Sequence, residues 1–241
     1  MSSELQEFNP YDSRVSRQYE VFVILCIGIA VWAELGYLLN KTLFKAYFGG
    51  VNPLLAVLLV SLFGCFGLIF LVSRNHFVIP TIITFRAWSF AFILAAFFAT
   101  AAILVDIKVR FPADMNLPFP KSLFFYPVIG FCVEVVFHIL PLSLLFLIFK
   151  MLFRRIESVT AFWTIIIVVC LLEPVFQTVS GYSMKPPVWV FPWTFAHVFL
   201  INFAQLLIFK RYGFIWMYLF RLEYYLFWHI IWGNLRLYTL F

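Results

Sequence analysis

The sequence has few charged residues. Only 12% of its 241 residues are Asp, Glu, Lys or Arg, whereas 64% are hydrophobic. A soluble domain has about 25% charged and about 45–50% apolar residues, so this chain has too little polar surface to fold in water. The composition indicates an integral membrane protein in contact with membrane lipid. We interpret the net charge of +6 as loop charge that faces anionic lipid, not as a nucleic-acid-binding surface.

Several sequence signatures are missing. The four cysteines each lie in an apolar run and form no CxxC pair, which argues against a zinc knuckle or a disulfide framework; they are Cys26, Cys65, Cys132 and Cys170. The sequence contains no GxxxxGK[ST] or GxGxxG pattern, no HExxH and no Ser/His/Asp pattern with a nucleophile elbow. It therefore lacks the usual signatures of nucleotide-binding proteins, zinc proteases and serine hydrolases.

Long apolar runs dominate the rest of the chain. A membrane-spanning helix needs about 20 apolar residues, and seven segments meet this length: 20–40, 53–73, 79–105, 122–149, 158–179, 187–209 and 213–236. They predict an all-α, polytopic transmembrane helix bundle of about seven spans, in a single domain over 20–241. The polar tail 1–19 lacks the layout of a cleavable signal, so we expect the first span to be a retained anchor.

The cations give the orientation of the bundle. Seven spans place eight Lys and Arg residues on the side of the N-terminus and seven on the other side. The clusters KMLFRR and KRYG lie close to helix ends, where the positive-inside rule has most weight. This distribution favours a cytoplasmic N-terminus. Pro141 and Pro174 fall inside the fourth and fifth spans, where each removes a helical hydrogen bond and predicts a kink.

Ionisable residues within the spans are the most informative feature. Such groups cost about 2.5–3.5 kcal/mol each on insertion scales and normally face the interior of a bundle. Counted along the helices from the side opposite the N-terminus, residues of several spans reach similar depths: Glu34, Glu134, His138, Glu173, His197 and His229. Arg86, Arg221 and Glu223 are predicted in a second, structural layer on the opposite half.

Two kinds of chemistry fit the first layer, and a structural role remains open beside them. Glu134 and His138 are spaced i, i+4 and therefore lie on one helix face. With His229, His197 or Glu173 they offer ligands for Zn²⁺. Alternatively, a carboxylate activates water as a general base and needs no cofactor, which is the interpretation we favour. Polar side chains also hold membrane helices together, at about 0.6–2 kcal/mol per hydrogen bond.

The second half of the chain resembles a known family. The segment GFCVEVVFHILPLSLLF is similar to the EExxxR motif of the CAAX-protease and bacteriocin-processing (CPBP) intramembrane endopeptidases, with Val133 for the first glutamate, Glu134 for the second and His138 for the arginine. In VCLLEPVFQ, Glu173 takes the place of the histidine of an FxxxH motif, as in the related PrsW-type proteases. WHIIWGN is similar to the HxxxN motif, with His229 and Asn234 one residue further apart.

The resemblance covers about residues 122–236 and implies a multi-pass protein of a prokaryotic plasma membrane. It implies that Glu134 activates a water that attacks a peptide bond of a membrane-embedded or membrane-proximal substrate. His138 and Glu173 belong to the same site, His229 is the partner of the base, and Asn234 stabilises the oxyanion.

Two other interpretations remain open because the motifs depart from the family pattern. The first is a catalytically inactive member that binds or chaperones a partner. The second is a small ion-coupled transporter, since chains of carboxylates and histidines also relay protons.

Overall fold

A computed structural model describes residues 13–73, 77, 85–152, 159–181 and 186–241. These residues form eight α-helices and no β-strand, which confirms the predicted all-α class. The helices are α1 (Ser13–Leu39), α2 (Lys41–Tyr47), α3 (Pro53–Ser73), α4 (Phe85–Val109), α5 (Lys121–Leu152), α6 (Val159–Gly181), α7 (Val190–Tyr212) and α8 (214–239). Residues 1–12 of the predicted tail and 79–84 of the third predicted span lie outside the described residues.

Six of the described helices are long and apolar enough to cross a membrane: α1, α3, α4, α5, α6 and α7. This confirms a polytopic membrane bundle. The seventh predicted span, 213–236, coincides with α8, which is not among the six. Helix α8 has sufficient length, but Arg221, Glu223, His229 and Arg236 reduce its apolar character.

Helix α5 lies at the centre of the bundle. It contacts α1, α3, α6 and α8, and α8 in turn packs against α4 and α7. Aromatic side chains fill the space between the first helix and the centre: the Phe22 ring of α1 lies 4.9 Å from that of Phe214 in α8 and 6.1 Å from that of Phe131 in α5. Because apolar lipid does not drive helices together as water does, such close packing supplies much of their attraction.

A glycine sets the crossing of α3 and α5. A Cβ atom on Gly67 would lie 2.7 Å from Cγ2 of Ile139 and 2.9 Å from Oγ of Ser143, closer than real contacts allow. The Ser143 hydroxyl also lies 3.1 Å from the carbonyl oxygen of Gly67, to which it can donate across the crossing. The missing side chain therefore lets the two helices approach closely enough for the Ser143 hydroxyl to reach the Gly67 carbonyl.

Proline residues interrupt the hydrogen bonding of the central helices. Helix α5 changes to π-helical geometry over Glu134–Ile139 and returns to α-helix at Leu140. The change precedes Pro141, which has no N–H group for the preceding turn. At this site the predicted interruption takes the form of a π-helical segment inside a continuous helix.

Two further prolines leave backbone carbonyls that neighbouring helices use. Pro127 cannot donate to Leu123, and the Leu123 carbonyl accepts a hydrogen bond from Nε1 of Trp32 in α1 at 3.0 Å. Pro174 cannot donate to Cys170, and Nδ2 of Asn202 in α7 lies 3.5 Å from that carbonyl oxygen. Side chains of adjacent helices thus satisfy the groups that proline leaves unpaired within the membrane.

Candidate functional site

Glu134 and His138 form a buried pair on the π-helical segment of α5. Both side chains have 0% exposure, and Nδ1 of His138 lies 2.9 Å from Oε2 of Glu134. This contact confirms the prediction that the two residues share a helix face. It has the distance of an ion pair without the geometry of a hydrogen bond, and Nε2 of His138 has no hydrogen-bond partner within the described residues. π-Helical segments often occur at functional sites.

Arg221 of α8 joins the two buried glutamates. Its Nε donates to Oε1 of Glu134, and its two terminal nitrogens donate to the carboxylate of Glu173 in α6 at 3.1 and 2.9 Å. The guanidinium has five N–H donors in a planar fork, so it can serve two carboxylates at once. The residue is only 3% exposed, which means that the carboxylates, not water, compensate its charge.

Gln205 of α7 forms hydrogen bonds with both Glu134 and Arg221. Its Nε2 donates to Oε1 of Glu134, and its Oε1 accepts a hydrogen bond from Arg221 at 3.0 Å. We call Glu134, His138, Glu173, Gln205 and Arg221 the central network. It connects α5, α6, α7 and α8, and each of its residues is at most 3% exposed.

The central network contains two carboxylates but one guanidinium. Fully ionised glutamates would leave one excess negative charge in a low-dielectric interior, where uncompensated charge is costly. The guanidinium of Arg221 therefore serves both carboxylates as their common cation.

The polar face of α8 continues away from the network. Arg221, Tyr225 and His229 are spaced four residues apart on α8 and contact one another in succession. Arg221 Nη1 donates to the Tyr225 hydroxyl at 3.2 Å, and the Tyr225 ring meets the His229 ring edge-on at 4.8 Å. Gly130 of α5 provides the space, since a Cβ atom there would lie 3.2 Å from the Tyr225 ring.

Two residues expected beside Glu134 have other polar partners. Nδ1 of His229 lies 2.6 Å from Oδ1 of Asn116, and the His229 ring stacks on Tyr126 at 4.5 Å. Asn234 accepts a hydrogen bond from the Phe119 N–H at 2.8 Å and donates to the Ile230 carbonyl at 2.6 Å. These side chains attach α8 to the segment before α5, and both ends of the Asn234 amide are occupied; the roles of His229 and Asn234 beside Glu134 stay predictions.

The prediction of a second, structural layer is wrong for Arg221, which belongs to the central network and not to a separate layer with Glu223. The Arg86 side chain lies outside the described part of the chain. His197 contacts residues that do not belong to the central network: its Nε2 lies 3.3 Å from the Tyr224 hydroxyl, and its ring stacks on Trp193 at 4.6 Å. Glu34 of α1 is half-buried and makes no described contact with the central network.

A second buried ion pair was not predicted. Asp106 of α4 and Arg236 of α8 are both 0% exposed and form two hydrogen bonds of 2.7 and 2.8 Å. Arg236 also donates to the carbonyl of Pro112 at 2.8 Å, and Asp106 accepts from the Phe111 N–H at 3.0 Å. The pair therefore fixes the turn after α4 to the end of α8.

A cavity of about 480 Å³ opens near this ion pair, between the end of α4, the end of α6 and the start of α7. Gln177 connects the cavity to the central network, because it lines the cavity and its Nε2 donates to Oε1 of Glu173 at 2.9 Å. The volume lies in the range of about 300–1,000 Å³ that is typical of small-molecule sites. The cavity is a second candidate site, distinct from the pair Glu134 and His138.

Metal coordination finds no support in the geometry of these residues. Across the described parts of the chain, no three His, Cys, Asp or Glu side chains converge in a manner that could hold a metal ion. Glu134 and Glu173 instead share a guanidinium as their common cation.

The sequence contains one signal that the prediction did not use. Gln205 and Asn202 lie in the middle of the apolar segment INFAQLLIF, where an uncharged amide also needs a buried partner. A search limited to ionisable residues omits both. No sequence pattern links Asp106 to Arg236, because 130 residues separate them.

Comparison of the chain with protein-family models, curated proteins and solved structures gives no match to any of them.

Proposed function

We propose that this protein is a multi-pass membrane protein that binds a membrane-borne ligand in the cavity between α4, α6 and α7, without hydrolysing it. One observation carries the proposal: the Glu134 carboxylate is buried and already in contact with three protein side chains, whereas the cavity is open. Oε1 of Glu134 accepts hydrogen bonds from Arg221 and Gln205, its Oε2 lies against His138, and the side chain is 0% exposed.

The reasoning follows from what a general base requires. A base must be within hydrogen-bond reach of the water that it deprotonates, with a lone pair directed at that water. The Oε1 atom of Glu134 instead accepts hydrogen bonds from Arg221 and Gln205, so it has no lone pair left for a water. These two conditions favour a structural role for the central network and a ligand site elsewhere.

The central network suits the role of a rigid support. It joins four helices through charge-assisted hydrogen bonds, which are about twice as strong as neutral ones. Gln177 extends it to the wall of the cavity. A binding site on such a support is preorganised, so little conformational entropy is lost when a ligand enters.

A second candidate is the intramembrane endopeptidase that the family resemblance implies, in a prokaryotic plasma membrane. The observation that favours it is the pair Glu134 and His138, in contact at 2.9 Å on a π-helical segment, with His138 Nε2 unpartnered within the described residues. In that case Oε2 of Glu134, which has no hydrogen-bond partner within the described residues, is the atom that activates the water.

The two candidates are separated by comparing wild type with Glu134→Gln and Thr194→Trp, each reconstituted in lipid vesicles. Thr194 lines the cavity, and a tryptophan there fills it. The readouts are cleavage of quenched fluorescent transmembrane peptides and mass spectrometry of small molecules released from the denatured protein.

The binding proposal expects no cleavage by wild type and a retained ligand that Thr194→Trp loses. Peptide cleavage that Glu134→Gln abolishes would instead establish the endopeptidase. Retention of the same ligand by wild type and Thr194→Trp would overturn the assignment of the cavity.

A further inference from the structure

The lining of the cavity combines one cation with hydroxyl groups and apolar side chains. Arg110 is the charged residue among the described lining residues, and no carboxylate is among them. Thr178, Ser180 and Thr194 provide hydroxyl groups. The apolar part includes Phe176, Val190 and Phe191. An exposed arginine beside such a mixed surface suits a ligand with an anionic group and an apolar portion.

The backbone holds Arg110 firmly in place. Arg110 has a φ of 54°, in the left-handed region that non-glycine residues seldom adopt. Its N–H donates to the Asp106 carbonyl at 2.7 Å, and the next residue, Phe111, donates to the Asp106 carboxylate. The buried pair of Asp106 with Arg236 supports this turn. Because Arg110 directly follows the last residue of α4, this conformation and its hydrogen bond form a common helix C-terminal motif that ends α4 at the cavity.

The cavity lies at the ends of three of the apolar helices. Its wall contains Val109, the last residue of α4, Ser180 near the end of α6, and Val190, the first residue of α7. Beside it, the Lys108 ammonium group lies 5.3 Å from the Trp189 ring. Tryptophan and lysine at helix ends are typical of the membrane–water interface, and a second cation raises the local positive potential.

We infer that the cavity binds an anionic amphiphile, in which a phosphate or carboxylate headgroup meets Arg110 and the neighbouring hydroxyl groups while an apolar chain lies along Phe176, Val190 and Phe191. This inference rests on the proposed function, because it names the ligand of the same cavity.

The test measures binding to the purified full-length protein in a neutral detergent. The probes are a phosphatidylglycerol, oleate, a phosphatidylcholine with the same acyl chains, and inorganic phosphate. Native mass spectrometry and the thermal midpoint are followed over a concentration series. Arg110→Gln removes the charge, Thr194→Trp fills the cavity, and Lys41→Gln is the matched control, since Lys41 is exposed on α2 and does not line the cavity.

We expect wild type and Lys41→Gln to bind one or both anionic amphiphiles at least about tenfold more tightly than the phosphatidylcholine. Arg110→Gln should lose about 10-fold or more in affinity for the anionic probe, as expected for a hydrogen bond to a charged group. Thr194→Trp should abolish binding of every probe. A preference for phosphatidylglycerol over oleate, or the reverse, identifies the headgroup.

Three results would overturn the inference. Equal affinity for anionic and neutral lipids, unchanged in Arg110→Gln but lost in Thr194→Trp, would refute the anionic headgroup and leave the binding function intact. Inorganic phosphate that reproduces the full Arg110-dependent effect would refute the apolar chain. Binding of no probe in a manner sensitive to Thr194→Trp would refute both the inference and the proposed cavity function.

Discussion

Replacement of Arg221 by methionine is the most direct test of the central network. Arg221 donates five hydrogen bonds to four residues on four helices, its own α8 included, and two of its acceptors are buried carboxylates. Methionine keeps much of the side-chain volume but removes the charge. Glu134 and Glu173 would then remain buried without their common cation.

The expected loss is large. Removal of one partner from a buried ion pair costs about 3–5 kcal/mol, because the other charge stays uncompensated. At about 2–4 °C per kcal/mol for a domain of this size, the thermal midpoint should fall by about 6–20 °C. Glu173→Gln should cost much less, about 1 kcal/mol, because Arg221 keeps Glu134 and the excess negative charge disappears.

The assay is thermal unfolding in detergent, followed by circular dichroism and by the monodispersity of the protein. Arg211→Met is the matched control, since Arg211 lies exposed at the end of α7 and exposed charges contribute little to stability. A triple change of Glu134 and Glu173 to glutamine with Arg221 to methionine should recover most of the loss. If Arg221→Met destabilises the protein no more than Arg211→Met does, the reasoning about the buried charges is refuted.

Two further substitutions test the packing and the second ion pair. Gly67→Ala places a Cβ atom 2.7 Å from Ile139, so we expect the free energy of unfolding to fall by about 1–3 kcal/mol in the same assay. The control Gly28→Ala meets nothing within 4 Å and should be neutral or slightly stabilising. Equal effects of the two substitutions would contradict the proposed close crossing. Asp106→Asn should cost about 3–5 kcal/mol because Arg236 stays buried, and a double-mutant cycle with Arg236→Gln should show strong coupling. Additive effects in that cycle would mean that the two side chains do not act as a pair.

The sequence was sufficient for most of the helices. The segment 53–73 coincides with Pro53–Ser73, because its hydrophobic run starts at a proline and ends in a polar segment. The pair Glu134 and His138 could be predicted because the i, i+4 spacing places both on one face, and the contact at 2.9 Å agrees. Local periodicity determines such features, and they depend little on the rest of the fold.

The composition of the central network depended on information that the sequence does not contain. Depth along a helix was counted from the backbone of Arg221, but its long side chain carries the guanidinium to the carboxylates of two other helices. Asp106 lies one residue beyond the third predicted span, 79–105, and Arg236 is the last residue of the seventh, 213–236, whereas α4 extends to Val109 and α8 to residue 239. The sequence therefore offered no reason to expect either residue in the interior of the bundle.

The prolines of the central helices have a consequence for the order of assembly in the membrane. The carbonyl of Leu123 finds its donor, Trp32, on the first helix, which has already emerged from the ribosome when α5 is synthesised. The carbonyl of Cys170 has its nearest donor, Asn202, on the helix that follows α6. Since an unpaired carbonyl in hydrocarbon costs several kcal/mol, α6 reaches its lowest free energy only together with α7. Helices α6 and α7 should therefore enter the bilayer as a hairpin, while α5 docks on a partner that is already in place.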